Sequence, residues 1–215
     1  RTVTTKALSK VLANTNKKQT FLVASGVGVY GANFIGDTLE AVDEGMDTSQ
    51  TTGFLAEVSR AWEAATEAAK KSNRVVNMRF GVVLSKNGGA LARLYPIFLL
   101  GGGGNVGSGQ QYFSFISARD IARAILHTLE TPSLQGPVNE CAPNPCTNAE
   151  FTKALGSAIN RPTILPLPGF VVSPLFGEMG EEMLLGGTRC VPGKLLRSGF
   201  NFLHPTIDAA VKSAL

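Results

Sequence analysis

The spacing Gly-x-Gly-x-x-Gly occurs twice in the sequence, over residues 26–31 and over residues 102–107. In many nucleotide-binding proteins this spacing lets backbone N–H groups and a helix N-terminus approach a pyrophosphate. The first copy follows an apolar segment predicted as a strand, but a loop rich in Asp, Glu and Gly comes after it instead of a clear helix. The second copy comes after a predicted helix. Because the spacing alone is weak evidence, we interpret both copies as turns near a site.

The cysteine and histidine residues show no spacing typical of a metal site. Cys141, Cys146 and Cys190 form an odd count without a Cys-x-x-Cys pair, and His127 and His204 are isolated in the sequence. A structural zinc site needs a full set of closely placed ligands. The sequence therefore predicts reduced, partly buried thiols and no metal site.

Composition and charge favour an ordinary globular protein. The 215 residues are 44% hydrophobic and 17% charged, with a net charge of +4 and a pI near 9.1. The densest basic spots are the pairs Lys17-Lys18 and Lys70-Lys71, whereas nucleic-acid binding needs a clustered basic stripe. The longest apolar run, at Tyr95–Leu100, is far shorter than a membrane span. We therefore predict no nucleic-acid partner and no membrane span.

Alternating apolar strands and amphipathic helices predict the fold class. Strands are predicted at 19–25, 74–84, 112–116 and 137–142, and helices over 3–12, 54–69, 88–100, 121–129, 151–159 and 206–215. On the long helix we expect one stripe to face the core, namely Phe54, Val58, Trp62, Ala65 and Ala69. The predicted class is α/β, a partial doubly wound Rossmann-like parallel sheet with a small helical C-terminal appendage.

Two helices carry a predicted N-terminal cap. Ser117 is followed three residues later by Asp120, and Thr147 is followed by Glu150 at the same spacing. A hydroxyl followed by a carboxylate at this distance is typical of a capping box. We therefore expect Ser117 and Thr147 to cap the helices predicted over 121–129 and 151–159.

Four segments together resemble the epimerase-like subfamily of the extended (atypical) short-chain dehydrogenase/reductases. They read SGVGVYG (25–31), FLAEVSRAWEAA (54–65), RFGVVLSKNGGAL (79–91) and GSGQQYFSFI (107–116). The resemblance is to the nucleoside-diphosphate-sugar epimerase and cell-division-inhibitor type with a C-terminal domain of unknown function, and it covers essentially the whole chain. It implies the C-terminal part of an NAD(P)-binding Rossmann-like domain over residues 1–160 and a small family-specific domain over residues 161–215.

The family's N-terminal half, which carries the glycine fingerprint and the acidic ribose-binding residue, has no match in this sequence. By analogy this half comprises roughly 80–100 residues, about one βαβαβ unit. The chain starts at Arg1 instead of Met, which we interpret as a processed, truncated or partial chain. The resemblance implies that the intact protein binds NAD or NADP and that this chain binds neither. It also implies an open sheet edge, which an N-terminal segment or a partner protein covers.

The superfamily's Tyr-x-x-x-Lys pair, in which the lysine lowers the tyrosine pKa for acid–base catalysis, is also missing. The matching helix begins Phe54-Leu-Ala-Glu-Val58, with neither a phenol nor an ammonium group. Phe115, Ser117 and Arg119 stand where relatives tend to carry Trp, His and Asp. The usual catalytic route is therefore unsupported, and the catalytic residues are unknown. If the protein is active, the resemblance implies an NAD(P)-dependent oxidoreductase or epimerase.

Three candidate binding residues come from the resemblance. Ser25 and Tyr30 take the positions at which the superfamily holds substrate and nicotinamide, and Asn139 takes a substrate-contacting position. The structural alternatives are a hydroxyl that caps a strand end, a packed aromatic ring and a buried amide that ties loops together.

Three further candidates come from their positions near predicted strands. Arg79 follows the core of a strand, where it can contact a phosphate or pair locally. Gln110 and Phe113 can line the rim of a pocket. These six side chains are the predicted cofactor-binding or substrate-binding residues.

Two functions remain open at this point. The first is an NAD(P)-binding epimerase- or dehydratase-like protein with degenerate catalytic residues, which accepts a nucleotide-sugar-like ligand. The second is a non-catalytic structural or assembly subunit, docked on a larger complex. The resemblance implies a plastid or mitochondrion as the location, with the cytoplasm as the alternative.

Overall fold

The computed structural model describes residues 1–15, 17–31, 40–166 and 186–215. The helices in these ranges are α1 (Thr2–Ala13), α2 (Phe54–Ala64), α3 (Gly89–Leu99), α4 (Ala118–Glu130), α5 (Asn148–Ala158), α6 (Gly193–Arg197) and α7 (Ile207–Ala214). Short 3-10 turns cover Val27–Tyr30 and Ala69–Lys71. Across the described ranges, no helix is long and apolar enough to cross a membrane.

The strands in the described ranges form one three-stranded sheet and two short pairs. Strands β1 (Thr20–Gly26), β2 (Arg74–Phe80) and β6 (Gly136–Glu140) lie in parallel in that order. Strand β3 (Val82–Leu84) pairs in parallel with β5 (Phe115–Ser117), and β4 (Tyr112–Phe113) pairs antiparallel with β7 (Cys146–Thr147). Helices lie between the parallel strands in sequence, which confirms the predicted α/β class with a parallel sheet.

Two of the predicted strands are each divided in the structure. The strand expected over 74–84 breaks at Gly81, and the strand expected over 112–116 breaks at Ser114. At the break the Gly81 N–H donates to the Glu140 carbonyl (3.0 Å), and the Val82 N–H donates to the Ser114 carbonyl (2.8 Å). A Cβ at Gly81 would lie 2.9 Å from that Ser114 oxygen, so the close approach of the two segments requires glycine at this position.

The helical C-terminal region contributes to both large apolar cores. Ile207 and Val211 of α7 pack with buried residues of α3, α5 and β5. Leu195 and Phe200, in and just after α6, pack with buried residues of β2, β6 and α4. The division of the chain at residue 161 stays a prediction.

A buried carboxylate fixes the segment before α7 onto the start of α4. Asp120 is fully buried and accepts backbone hydrogen bonds from Leu203 (2.9 Å) and His204 (2.8 Å). Ser117 caps α4 as predicted, since its hydroxyl accepts from the Asp120 N–H (3.0 Å) and lies 2.9 Å from His204 Nδ1. A carboxylate in the first turn is also favoured by the helix dipole. Asp120 is therefore a structural anchor for the tail.

The predicted core stripe is wrong for Phe54, Val58 and Trp62, whereas Ala65 and Ala69, which follow α2, are buried as predicted. Phe54 and Val58 are each 43% exposed, and Trp62 is only partly buried. The face that α2 turns towards the protein carries the small buried residues Ala56 and Ser59. The sheet lies so close to this helix that small side chains fit there better than large ones. Phe54 and Val58 are therefore left largely exposed.

Candidate functional site

Three of the predicted candidates lie side by side across the main sheet. The register pairs Ser25 of β1 with Arg79 of β2, and Arg79 with Asn139 of β6. Paired positions on parallel strands send their side chains to the same face. All three lie near the carboxyl ends of their strands, the edge at which ligands bind in open α/β sheets.

Glu63 of α2 lies against this row and bonds to both Ser25 and Arg79. Its carboxylate accepts two hydrogen bonds from Arg79, from Nε (2.8 Å) and from Nη2 (2.9 Å), and one from the Ser25 hydroxyl (2.8 Å). The Arg79 and Glu63 side chains are 5% and 14% exposed, so water screens this bidentate pair very little. Arg79 thus pairs locally, which is one of the two alternatives left open by the sequence.

Tyr30 lies in the middle of the same network. Its hydroxyl donates to Asn139 Oδ1 (2.8 Å) and accepts from Arg79 Nη1 (2.9 Å), and the guanidinium lies 5.0 Å from the ring centroid. The side chain is fully buried. Burial raises the pKa of the Tyr30 phenol well above its usual value. In this state Tyr30 is a neutral hydrogen-bonding group and is unsuited to proton transfer at neutral pH.

Asn139 connects the network to two other segments. Its side-chain amide donates to the Val191 carbonyl (2.9 Å), and its backbone N–H donates to Glu44 Oε1 (2.9 Å). Glu44 in turn accepts from the N-terminal N–H of α6, at Lys194 (3.1 and 3.2 Å). Ser25, Tyr30, Arg79 and Asn139 therefore form one closed polar network that ties the sheet to α2 and to the C-terminal region.

A cleft of about 240 Å³ opens beside this network, at the carboxyl ends of β1 and β2. Its walls are residues 26–28 and 31, Leu55 and Ser59 of α2, residues 80–82 at the β2–β3 break, residues 112–114, and residues 186–188. Among these described lining residues no side chain is charged. Most of the wall is backbone or apolar side chain, so the cleft suits a flat, uncharged group better than a phosphate.

Glycines make the cleft narrow and flat. A Cβ at Gly28 would lie 2.9 Å from Leu55 Cβ, and a Cβ at Gly187 would collide with the backbone of Tyr112. Gly31, which ends the first glycine motif, has a φ of 73°, a conformation that favours glycine. A 3-10 turn and not an α-helix follows Gly26. The described part of this motif is therefore a turn that shapes the cleft wall.

The remaining two candidates lie apart from the network. Phe113 is part of the cleft wall and stacks against Phe151, with 4.6 Å between ring centroids. Gln110 is exposed to solvent and is not among the described residues that line this cleft. The use of these six residues in ligand binding stays a prediction.

Sequence reasoning missed Glu63 and Glu44, the two acids that hold the network together. Glu63 continues the small-residue face of α2, because Ala56, Ser59 and Glu63 follow the helical spacing i, i+3, i+7. A single acid on an otherwise small, inward face is a detectable signal for a buried cation such as Arg79. Glu44 lies in a loop between predicted elements and carried no comparable signal.

The fold and the site together define the class of protein: a Rossmann-like chain of the extended short-chain dehydrogenase/reductase kind, with its cleft at the carboxyl ends of the parallel strands. Residues 167–214 match the family described as Domain of unknown function (DUF1731). An epimerase family protein of Mycobacterium tuberculosis is 46% identical over 212 residues, covering 98% of this chain and 68% of that protein. The bovine epimerase family protein SDR39U1 is 37% identical and covers 100% and 72%. The chain belongs to this epimerase family.

Solved structures agree with this membership. The crystal structure of human epimerase family protein SDR39U1 (isoform 2) with NADPH is 33% identical, with a TM-score of 0.90, covering 98% of this chain and 70% of that chain. A nucleoside-diphosphate sugar epimerase from Corynebacterium glutamicum is 32% identical, with a TM-score of 0.79, over 98% of this chain and 40% of that chain. The predicted family resemblance, including its C-terminal domain of unknown function, is confirmed.

Proposed function

We propose that this chain forms the nicotinamide and substrate side of an NAD(P)-binding epimerase-like protein in which the usual acid–base pair has been lost. The observation that carries the proposal is the apolar, glycine-lined cleft at the carboxyl ends of β1 and β2. The human relative, which contains NADPH in its crystal structure, supports the cofactor class. The similarity of this chain to the nucleoside-diphosphate sugar epimerase from C. glutamicum supports a nucleotide-sugar-like second ligand.

The cleft residues fit the nicotinamide end of a dinucleotide but not its pyrophosphate. The volume of about 240 Å³ is smaller than the roughly 300–1,000 Å³ of whole-ligand sites, so it suits one planar ring, which packs well against Phe80 and the glycine backbone. A pyrophosphate instead needs converging N–H groups or cations, and no charged side chain is among the described lining residues. When bound, a nicotinamide supplies or accepts hydride. The chain's own residues position the ring and exclude water from it.

Among the described residues that line the cleft, no two side chains form a matched acid–base pair. Phe54 and Val58 stand where the superfamily has its tyrosine and lysine, and neither side chain can transfer a proton. Tyr30 and Ser25 are occupied by Asn139, Arg79 and Glu63. We therefore propose that the protein binds its ligands without turning over a sugar by the superfamily's tyrosine route.

Saturation-transfer difference NMR with NADPH tests this proposal. On the 215-residue chain, we expect the nicotinamide protons to receive more saturation than the adenine protons, because the apolar cleft at the carboxyl ends of β1 and β2 suits the nicotinamide ring. The variant Leu55→Trp, which places an indole in the cleft, should remove the nicotinamide signal. Leu126→Trp, the same substitution at a 53%-exposed position on α4, is the matched control and should leave the signal unchanged.

Two outcomes would contradict the proposal. A stronger adenine than nicotinamide signal would place the adenine end in this cleft. A nicotinamide signal that survives Leu55→Trp, or no saturation of NADPH at all, would show that the cleft does not take the ring. The thermal unfolding midpoint of each variant is measured first, so that a folding defect is not mistaken for lost binding.

A second candidate function is a non-catalytic subunit of a larger assembly. Strand β1 is the outermost strand of its sheet among the described strands, and its free edge presents backbone N–H and C=O groups. We propose that a segment preceding this chain or a partner protein pairs with this edge. Size-exclusion chromatography with light scattering tests it: a well-behaved monomer that unfolds cooperatively on its own would contradict the need for any covering strand.

We propose a plastid or mitochondrion as the location, with the cytoplasm as the alternative. An Arabidopsis thaliana relative, 39% identical over 192 residues, is named as a chloroplastic protein, which supports the organelle. Imaging of a fluorescent fusion of the complete natural protein tests this: a diffuse cytoplasmic signal would contradict it.

A further inference from the structure

Two cysteines that are far apart in the sequence lie together beneath the cleft wall. The sulfur atoms of Cys141 and Cys190 are 3.7 Å apart, and both residues are fully buried. Cys141 directly follows β6, at the edge of the main sheet. Cys190 belongs to residues 186–191, which we call the C-terminal strap. The two thiols share a small apolar cluster with Val29 and Tyr30.

The strap forms one wall of the cleft, and individual hydrogen bonds to neighbouring segments hold it in place. Its residues 186–188 line the cleft. The Ser114 hydroxyl donates to the Thr188 carbonyl (2.6 Å), and the Cys190 N–H lies 3.1 Å from the same hydroxyl oxygen. Val42 pairs with the strap through Arg189 and Val191, at 2.8 and 2.9 Å. The Asn139 amide of β6 also holds the strap, through the Val191 carbonyl (2.9 Å), so the cysteine pair lies beside an existing link between the strap and the sheet.

We propose that Cys141 and Cys190 are a redox-modification site, at which a hydroperoxide closes a disulfide between the sheet and the C-terminal strap. One thiolate attacks the peroxide O–O bond, giving a sulfenic acid and releasing an alcohol or water. The second thiolate then attacks that sulfur, forming the S–S bond and releasing water. Two thiols are oxidised by two electrons and one peroxide is reduced, so atoms and electrons balance.

The geometry favours a disulfide over further oxidation. A disulfide sulfur pair is about 2.05 Å apart, and side-chain rotation closes most of the difference from van der Waals contact. Once the strap has closed again, a sulfenic acid at either sulfur has the second thiol against it, and the surrounding apolar cluster excludes a second peroxide molecule. Condensation between the two sulfurs is therefore faster than oxidation to the sulfinic acid.

Burial sets when the reaction occurs. Burial raises the pKa of the Cys141 thiol well above its usual value, so the closed form holds little reactive thiolate. Opening of the strap uncovers Cys190 and admits the oxidant. The disulfide then fixes the strap in its closed position and with it one wall of the cleft.

Cys146 provides an internal comparison. It is also buried, its sulfur contacts the Phe113 carbonyl (3.6 Å), and burial raises the pKa of its thiol to about 12. It has no second sulfur within hydrogen-bonding distance in the described ranges. It should therefore remain a free thiol under conditions that join Cys141 to Cys190.

The test treats the 215-residue chain with hydrogen peroxide at neutral pH and analyses it by intact mass and by peptide mapping. We expect a loss of about 2 Da, one Cys141–Cys190 peptide and reversal by dithiothreitol. The crosslink closes a long loop, so the thermal midpoint should rise by about 10 °C. Cys146→Ser should behave like the wild type, and Cys190→Ser should show no 2 Da loss.

Other results would overturn the site. They are free Cys141 and Cys190 thiols after Cys146 has reacted, addition of oxygen atoms to either cysteine, and intermolecular disulfides in place of the internal one. A crosslinked protein with a lower thermal midpoint would also overturn it, because the pair would then have to leave its native position to bond. The decisive readouts come from the wild-type chain, so they do not depend on the folding of any variant.

Discussion

The polar network and the cleft lie at the same edge of the sheet, but they differ in chemistry and in access. The network of Ser25, Tyr30, Glu63, Arg79 and Asn139 is buried, and its polar atoms bond to one another. The cleft is open and lined mainly by glycine backbone and apolar side chains. A buried group whose hydrogen bonds are all made has nothing left for a ligand. The polar and charged side chains are therefore the scaffold, and the proposed binding surface consists of glycine backbone and side chains without acid–base chemistry.

The largest expected effect comes from breaking the network at its charged pair. Arg79→Met leaves the Glu63 carboxylate and the Tyr30 hydroxyl buried without their main partner, and should lower the free energy of unfolding by about 3–5 kcal/mol. Urea denaturation measures this change. Lys70→Met is the control, because its ion pair with Glu67 is exposed at both ends (43% and 71%) and should contribute less than about 1 kcal/mol. A loss of 1 kcal/mol or less for Arg79→Met would mean that the network is not a scaffold.

A buried carboxyl lies next to Asn139 on β6, on the opposite face of the sheet from the network. Glu140 is fully buried, Thr128 donates to its Oε1 (3.2 Å), and its Oε2 has no hydrogen-bond partner in the described structure. Burial raises the pKa of Glu140 to about 8. The folded protein therefore keeps a proton that the unfolded chain loses near pH 4.5, so the stability from this group is full below pH 4.5 and is lost as the pH rises through 8.

Glu140→Gln should remove this pH dependence. Between pH 5 and pH 9 the wild type should lose a few kcal/mol relative to the variant, of the order of 1.4 kcal/mol for each pH unit between the two pKa values. Unfolding free energies at several pH values measure the difference. Glu130→Gln, at the exposed end of α4, is the control and should follow the wild type. Parallel pH profiles for wild type and Glu140→Gln would contradict the raised pKa.

A smaller effect is expected outside both regions, at Trp62. Its ring is only partly buried, its Nε1 donates to Thr5 Oγ1 (2.9 Å), and the Arg1 guanidinium lies 5.3 Å from the ring. Trp62→Ala should therefore cost about 1–2 kcal/mol, less than the 3–5 kcal/mol typical of a core tryptophan. Thermal unfolding with Trp62→Phe as the conservative comparison measures it. A loss above 3 kcal/mol would place Trp62 in the core after all.

Particular elements show how much of this could be predicted from the sequence. The capping box at Thr147 and Glu150 was predictable because both of its hydrogen bonds are local. At Ser117 only the hydroxyl half forms, because the Asp120 carboxylate accepts from Leu203 and His204 instead. The division at Gly81 was not, because it depends on the Ser114 carbonyl of another segment. The orientation of α2 was predicted wrongly, since hydrophobicity suggested Phe54 and Val58 while close packing on the sheet selected Ala56 and Ser59.

The residue types of the candidate site were predictable from the sequence, but their hydrogen-bond partners were not. The sequence pointed to Ser25, Tyr30, Arg79 and Asn139, and the register brings them into one network. Whether such residues face a ligand or each other depends on Glu63, which comes from a separate helix. Local sequence patterns identify candidate residues. The packing of α2 on the sheet then determines which of their polar atoms already have hydrogen-bond partners.

We propose that this chain holds the nicotinamide end of the cofactor and that its described cleft provides no pyrophosphate site. Isothermal titration calorimetry of the 215-residue chain with NADPH and with NADH tests it most directly. We predict binding weaker than about 1 μM for both, because the cleft provides contacts to one ring only. An affinity of about 1 μM or tighter, roughly −8 kcal/mol, would show that residues 26–31 form a true phosphate loop and would contradict the account.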